Sequence, residues 1–182
     1  MVTPRACRVS MLVAMAGLPG CGKTTLARQL AERLVGIILD KDMIRAALFP
    51  PAYIEYSTRQ DDFCLTVMLD VAAYLLESDP DLHVILDGRP FARRYQVDQL
   101  DRWSAEHNVP LAIVECVCSD EVARQRLEHD VSTAAHVAEN RDYELYRRMK
   151  ANFEPIREPK LVVNTDLPLP DSVERALAYL GE

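Results

Sequence analysis

The chain of 182 residues alternates between apolar runs and helical patterns. Its first clear run, residues 8–16, is almost continuously hydrophobic, as expected of a parallel strand that is covered on both faces. Leu26, Leu30 and Leu34 then recur at every fourth position, which is typical of the inner face of an amphipathic helix. The pattern therefore predicts a strand, a glycine-containing loop and a helix.

The same alternation continues along the rest of the chain. Further strands are predicted at residues 35–40, 82–87, 109–117 and 160–166. Helices are predicted at residues 43–48, 58–77, 93–107, 141–153 and 171–180, and another begins after Ser119. Asn108 is expected to end one helix in the left-handed conformation, and Asp171 with Glu174 has the spacing of a capping box. Five strands alternating with helices predict an α/β fold with a doubly wound parallel sheet.

Composition narrows the class of protein. No internal repeat or linker interrupts the pattern, so residues 1–182 are predicted to form a single domain. No apolar run reaches the roughly 18 residues needed to span a bilayer. Five cysteines without a C-x-x-C pair indicate neither a disulfide framework nor a zinc site, and they fit a reducing, cytoplasmic location. A formal net charge of −7 argues against a large nucleic-acid footprint, but it leaves room for a local basic pocket.

The loop after the first strand carries the clearest chemical signal. Gly17, Gly22, Lys23 and Thr24 form the motif G-x-x-x-x-G-K-T between a predicted strand and a predicted helix. In such a loop, backbone N–H groups surround nucleotide phosphates, the lysine neutralises them and the threonine hydroxyl binds Mg²⁺. The predicted nucleotide-binding residues are Gly17, Pro19, Gly20, Cys21, Gly22, Lys23, Thr24 and Thr25, together with Arg124 from a later segment. Thr25 also suits the start of a helix, and Cys21 also suits a small filler between glycines.

Two aspartates follow the second predicted strand. Ligands bind beyond the carboxyl ends of the strands in an open parallel sheet, and Asp40 and Asp42 lie at such an end. A carboxylate there can orient an acceptor hydroxyl and take its proton during phosphoryl transfer. We assign that role to Asp42, place Asp40 near the Mg²⁺ water shell, and expect Arg45 to bind an anionic group of the acceptor. The alternative is that both carboxylates cap a helix and that Arg45 is solvated.

Asp87 ends the third predicted strand and is followed by a cluster of arginines. A carboxylate that follows a buried apolar strand is typical of the Walker B position, which holds Mg²⁺ directly or through water. Arg89, Arg93 and Arg94 come next and would suit an acceptor phosphate or carboxylate. For Arg93 and Arg94, a solvated helix face is an equally good interpretation.

A polar segment between two later helices is predicted to form a small lid, at about residues 124–148. Arg124 and Arg126 precede it and Arg141 follows it. Arginines on a closing loop would exclude water and stabilise charge on the transferring phosphoryl group. The predicted catalytic residues are therefore Lys23, Asp42, Arg124 and Arg126. His129 and His136 flank the segment and are interpreted as ordinary loop histidines rather than metal ligands.

Together these motifs resemble those of the small P-loop kinases. The resemblance rests on the P-loop, D-x-D-x-x-R after strand two, Asp-Gly after strand three, the R-x-R pair and the terminal strand VVNTD. This group includes gluconate kinase, adenylylsulfate kinase, chloramphenicol phosphotransferase, zeta toxin and the 5′-hydroxyl polynucleotide kinase domains. The segment ENRDYELYRRMKANFEPI is most similar to bacterial proteins labelled AAA-family ATPases. The resemblance implies a P-loop NTPase sheet with the strand order 2-3-1-4-5.

The resemblance also implies an acceptor site between the strand-two aspartates and residues 50–63. Tyr53, Tyr56, Arg59 and Asp62 are its acceptor candidates there, with packing or solvation as the alternative. The full predicted acceptor set is Asp40, Asp42, Arg45, Tyr56, Arg59, Asp87, Arg89 and Arg93, and the predicted metal set is Thr24, Asp40 and Asp87.

The function predicted from the sequence is an ATP- and Mg²⁺-dependent kinase of a small-molecule alcohol. A 5′-hydroxyl polynucleotide kinase and a nucleotide-dependent binding switch are the alternatives. The sequence leaves open the identity of the acceptor and the oligomeric state. It also does not decide whether ATP is preferred over GTP, or which arginine contacts the γ-phosphate.

Overall fold

The structure is a computed structural model that describes residues 10–133 and 142–181. Its strands are β1 Met11–Ala16, β2 Gly36–Asp40, β3 His83–Asp87, β4 Leu111–Val117 and β5 Leu161–Asn164. Its α-helices are α1 Lys23–Arg33, α2 Lys41–Leu48, α3 Thr58–Ser78, α4 Arg94–His107, α5 Asp120–Thr133, α6 Tyr143–Ala151 and α7 Leu169–Leu180. A short 3-10 helix, Pro51–Tyr53, joins α2 to the loop before α3.

The five strands form one parallel sheet in the order β2-β3-β1-β4-β5, which confirms the predicted order. Since all strands are parallel, their carboxyl ends meet at one edge of the sheet. Asp40 and Asp87 are register partners at this edge, on the neighbouring strands β2 and β3. The P-loop leaves the central strand β1 at the same edge.

Two apolar layers cover the sheet. On one face, α1 and α7 pack through Leu26, Leu30 and Leu177 together with side chains of β1 and β4. On the other face, α3 and α4 pack through Leu65 and Trp103, among others. Every residue of β3 is buried, which explains why its sequence reads as an apolar run ending in an aspartate.

Several predicted boundaries shift in the structure. Helix α2 begins at Lys41, two residues earlier than predicted, because the side chain of Asp40 caps it. The predicted capping box at Asp171 is wrong: α7 begins at Leu169, with Pro168 as its N-terminal cap. The following proline is tolerated in the first turn, where its missing N–H costs no helical hydrogen bond. Asn108 does end α4 in the left-handed conformation, at φ 52°. Among the described residues, no helix is long and apolar enough to cross a membrane.

Candidate active site

The P-loop is held tightly at both of its ends. Gly17 has φ +120°, and a Cβ at this position would lie 2.1 Å from the carbonyl oxygen of Cys116. Gly22 adopts the left-handed conformation immediately before α1. Lys23 is buried, and its Nζ donates to the carbonyl oxygens of Gly17, at 2.9 Å, and Leu18, at 2.8 Å. The loop thus encloses its own lysine, the group predicted to meet the phosphates.

A cavity of about 600 Å³ opens in front of the P-loop. Its lining residues from the P-loop and α1 are Pro19, Gly20, Gly22, Lys23, Thr24, Thr25 and Arg28. The other lining residues come from α2, α3 and the loop before it, the loop after β3, and helices α5 and α6. They are Lys41, Asp42, Tyr56, Thr58, Asp61, Gly88, Pro90, Arg126, Asp130, Leu145 and Met149. The structure therefore brings the P-loop and Asp42 into one space, which is large enough for a drug-sized ligand.

Asp40 has the capping role that the sequence analysis considered as an alternative. Its Oδ1 accepts the backbone N–H groups of Asp42, at 2.8 Å, and Met43, at 3.1 Å. This satisfies two of the free N–H groups at the start of α2 and fixes the position of the helix against the end of β2. Asp40 does not line the cavity. Its predicted role near the metal stays a prediction.

Asp42 belongs to a cluster of two carboxylates and two cations, Lys41, Asp42, Arg45 and Asp61, which we call the ion quartet. The Oδ1 of Asp42 lies 2.5 Å from Arg45 Nη1 and 3.2 Å from Lys41 Nζ. Lys41 Nζ lies 2.8 Å from Asp61 Oδ1, which Arg45 Nη2 also contacts. Arg45 is 2% exposed and lies over the ring of Tyr56, with 5.1 Å from its guanidinium carbon to the ring centroid. Arg45 is thus neutralised by two carboxylates and held in place.

The ion quartet controls the ionisation of Asp42. Burial by itself would raise the pKa of this carboxyl, but the neighbouring charges of Lys41 and Arg45 and their hydrogen bonds outweigh it. The pKa of Asp42 is therefore lowered from its ordinary value. Asp42 accordingly stays a carboxylate at neutral pH and can accept a hydrogen bond from a ligand in the cavity.

Asp87 is a buried carboxylate at the end of β3. It is 1% exposed, and neither of its carboxylate oxygens has a hydrogen-bond partner within the described parts of the chain. Leaving a buried carboxylate unpaired is costly, so such a group is suited to bind a cation. Asp87 lies at the sheet edge beside the P-loop, where Thr24 lines the cavity. The two residues fit Mg²⁺, which prefers a few protein oxygens together with water and phosphate.

The arginines after β3 mostly pair with acidic residues. Arg89 is 1% exposed and contacts the Oδ1 of Asp62, which also accepts from the hydroxyl of Tyr95. Arg93 lies at the surface, 3.2 Å from Glu154. Both arginines line a second cavity of about 310 Å³, which shares Thr58, Asp61, Pro90 and Met149 with the first. Arg89 and Arg93 thus lie beside the nucleotide cavity rather than in its wall.

The two predicted lid arginines lie on different sides of α5. Arg126 lines the cavity and donates to the carbonyl oxygen of Gly20, at 3.2 Å, and that of Thr165, at 2.8 Å. Arg124 instead pairs at the surface with Glu121, at 3.1 Å, and does not line the cavity. Of these two arginines, Arg126 is the one that borders the cavity in front of the P-loop. Arg141 and His136 lie outside the described residues.

Other predicted residues are spread over the surroundings of the site. Tyr56 lines the cavity. Tyr53 is 70% exposed, Arg59 is exposed, and neither lines it. Cys21 is buried in the P-loop, and its Sγ lies 3.2 Å from that of Cys118 at the end of β4. This hydrogen bond, followed by the charges of Lys23 and Arg126, outweighs burial and lowers the pKa of Cys21 to about 7.

Sequence reasoning missed Lys41 and Asp61, although each left a signal. Lys41 stands between the two aspartates already selected. Asp61 continues the buried stripe of α3 by one helical turn, since it lies four positions before the fully buried Leu65. Asp62 was selected in its place, and its side chain faces Arg89. Helical phase would have favoured Asp61.

A comparison with known protein families identifies the family of this chain. Residues 12–156 match the model of an AAA domain family. The chain belongs to this family. No curated protein sequence matches it significantly.

Solved structures of small P-loop kinases share the fold. A gluconokinase from Sinorhizobium meliloti 1021 is 20% identical, with a TM-score of 0.70 over 96% of this chain and 93% of that one. The APS kinase of Mycobacterium tuberculosis, in complex with AMPPNP and APS, is 17% identical, with a TM-score of 0.72 over 96% and 99%. Kti12 of Chaetomium thermophilum, in complex with ADP-AlF3, is 16% identical, with a TM-score of 0.68 over 93% and 98%. The fold class predicted from the sequence is confirmed.

Proposed function

We propose that this protein is an ATP- and Mg²⁺-dependent kinase that transfers the γ-phosphoryl group to a hydroxyl of a small molecule. The observation that carries the proposal is that Asp42, an ionised and almost buried carboxylate, lines the same cavity as Lys23 and Thr24. A protein that only binds nucleotide, as a switch does, has no need of a carboxylate at that place. Two proteins that share the fold, a gluconokinase and an APS kinase, support the same class of reaction.

Several residues of the chain have separate roles in phosphoryl transfer. Lys23 lies beside the P-loop carbonyls and can exchange these bonds for phosphate oxygens. Arg126, anchored to Gly20 and Thr165, is fixed at the rim of the same loop and can stabilise charge on the phosphoryl group. Mg²⁺ held near Thr24 and Asp87 would neutralise negative charge on the phosphates.

Asp42 acts mainly by orienting the acceptor. Its lowered pKa makes it a weak base, but the transition state of phosphoryl transfer is loose and the hydroxyl loses its proton late. A fixed carboxylate that accepts the hydroxyl hydrogen therefore suits the reaction. Leu145 and Met149 of α6 border the same space and help to exclude water, which is the competing acceptor.

The polynucleotide 5′-kinase alternative finds less support. The buried arginines expected to grip nucleic-acid phosphates are already neutralised, Arg45 by Asp42 and Asp61 and Arg89 by Asp62. The net charge of −7 opposes the approach of a second polyanion. A 5′-hydroxyl oligonucleotide remains a useful test substrate.

The proposal is tested by a label-transfer screen. Purified protein, γ-labelled ATP and Mg²⁺ are incubated with a panel of small alcohols and with a 5′-hydroxyl oligonucleotide, and label in the acceptor is counted. We expect transfer to at least one small alcohol, and none with Lys23→Ala, which excludes a contaminating kinase. Efficient labelling of the oligonucleotide alone, at rates that fall steeply with salt, would favour the polynucleotide alternative. Hydrolysis without transfer to any acceptor would contradict the proposal.

A further inference from the structure

The ion quartet presents two carboxylates to the cavity, and they are bonded alike. Asp42 on α2 and Asp61 on α3 both line the cavity. Each uses its Oδ1 to contact both Lys41 Nζ and Arg45. All hydrogen bonds that the structure gives these two carboxylates, within the described residues, go to Oδ1. In the same part of the chain, neither Oδ2 accepts a hydrogen bond.

The two Oδ2 atoms are accessible as well as free of hydrogen bonds from the described residues. The side chain of Asp42 is 8% exposed and that of Asp61 is 24% exposed. Neither Oδ2 is among the enclosed polar atoms of the described chain that lack a partner. An ionised carboxylate oxygen only accepts hydrogen bonds, so its natural ligand is a donor group such as a hydroxyl.

We propose that Asp42 and Asp61 together bind two neighbouring hydroxyls of the acceptor, so that the substrate is a polyhydroxy compound rather than an isolated alcohol. The proposal rests on the proposed kinase function and names its acceptor class. Asp42 takes the hydroxyl that receives the phosphoryl group. Asp61 accepts the hydrogen of the adjacent hydroxyl and thereby selects the acceptor and fixes its orientation.

The charges of the site agree with this assignment. Two cations and two carboxylates cancel formally, so the ion quartet has no surplus cation for an anionic group of the acceptor. Both carboxylates stay fixed because each is held by Lys41 and by the buried Arg45. A site built to accept hydrogen bonds from two hydroxyls discriminates against an analogue that lacks one, since a polar group is then left unpaired.

Acceptor analogues that differ by one hydroxyl provide the test. Label transfer from γ-labelled ATP is measured for glycerol against 1,3-propanediol, D-ribose against 2-deoxy-D-ribose, and D-gluconate and D-glucose against their 2-deoxy analogues. For the parent protein, we expect an acceptor with adjacent hydroxyls to be used with a kcat/KM at least 10-fold above that of its deoxy analogue.

Asp61→Asn is then compared with the parent on the same pair. The amide can donate a hydrogen bond where the carboxylate only accepted, so we expect KM for the diol to rise by about 10- to 100-fold with a smaller change in kcat. The deoxy analogue should lose less than the diol, so the ratio of kcat/KM between the two acceptors should fall. Asp70→Asn, at an exposed position of the same helix, is the matched control, and Asp61→Glu should recover part of the selectivity. Calorimetric affinity for ADP shows that each variant is folded.

The outcomes separate the two proposals. Parent protein that uses deoxy analogues as well as diols, or Asp61→Asn that keeps the parent's discrimination, overturns the role of Asp61 while the kinase function stands. Binding of ADP without labelling of any alcohol overturns the kinase function, and the acceptor assignment with it.

Discussion

The carboxylates of Asp42 and Asp61, on two different helices, share a single lysine. Lys41 Nζ lies 3.2 Å from one Oδ1 and 2.8 Å from the other. Because Lys41 and Asp42 begin α2, directly after the edge strand β2, this contact ties the start of that helix to the first turn of α3. The position of Asp42 relative to Asp61 in the proposed acceptor site is thus fixed by charge as well as by packing.

Asp42→Asn should reduce phosphoryl transfer far more than nucleotide binding. The amide keeps the shape of the side chain but removes the carboxylate that orients the hydroxyl, so we expect the rate to fall by roughly 10². Nucleotide affinity should stay within about twofold of the parent, since Lys23 and the P-loop are unchanged. Single-turnover transfer and calorimetry measure the two quantities. Transfer at the parental rate would move the role to another group.

The pH dependence of the parent protein offers a second check on Asp42. Neighbouring Lys41 and Arg45 lower the pKa of this carboxyl, so it stays ionised below the pH at which an ordinary aspartate is protonated. We therefore expect no loss of transfer from protonation of Asp42 between pH 7 and about pH 5. An acidic limb in kcat with a midpoint inside that interval, absent from Asp42→Asn, would contradict the lowered pKa.

Asp87→Asn should change the Mg²⁺ dependence of nucleotide binding. Both oxygens of this buried carboxylate lack partners in the described chain, which fits a group that completes its contacts with a cation. The amide keeps the volume and removes the charge, so a higher Mg²⁺ concentration should be needed for half-maximal binding. Titration of Mg²⁺ at fixed nucleotide measures the shift, with Asp81→Asn in the loop before β3 as the control. Coincident curves would remove Asp87 from the metal site.

Cys21 should be alkylated in a pH-dependent manner. Because the hydrogen bond from Cys118 lowers the pKa of Cys21 to about 7, the reactive thiolate increases as pH rises through 7. The rate of iodoacetamide labelling, followed by mass spectrometry, should rise with a midpoint near pH 7, and bound nucleotide should slow it. Cys64, which is buried with a raised pKa, is the internal control. An unchanged midpoint in Cys118→Ala would exclude the hydrogen bond as the cause.

Gly17→Ala should destabilise the fold more than Gly181→Ala. Both glycines have positive φ, but a Cβ at Gly17 would lie 2.1 Å from Cys116 O, whereas one at Gly181 meets nothing within 4 Å. Gly181→Ala should therefore cost only the backbone strain, about 1 kcal/mol, and Gly17→Ala roughly 2–4 kcal/mol. Urea unfolding measures both. Equal losses would show that β4 moves away from Gly17 at little cost.

The sequence was sufficient for the sheet and for the P-loop because both depend on local pattern. Continuous apolar runs identified the buried strands, and the G-x-x-x-x-G-K-T spacing located the loop next to β1. Only Asp42 and Arg45 of the ion quartet were predicted as site residues. Lys41 and Asp61 are 20 positions apart and come into contact only when α2 packs against α3. Each of the two residues could have been selected separately from its position, but their pairing has no signal in a single sequence.

Arg124 and Arg126 show a second limit of prediction from sequence, which concerns the direction that each side chain takes from its helix. Residues two positions apart on a helix point to nearly opposite sides, so both could not face one nucleotide. Helical phase alone could have separated them, but not chosen between them. The choice depends on how α5 packs against the P-loop, which places Arg126 against Gly20 and leaves Arg124 in solvent.

The balanced charges of the ion quartet also determine its long-range electrostatic field. Two positive and two negative groups held within a few ångströms of each other produce a field that decays much faster than that of a single charge. The ion quartet therefore contributes little to electrostatic steering of an approaching acceptor, and ionic strength should have little effect through these four groups. Discrimination among acceptors begins only once water between hydroxyl and carboxylate has been displaced.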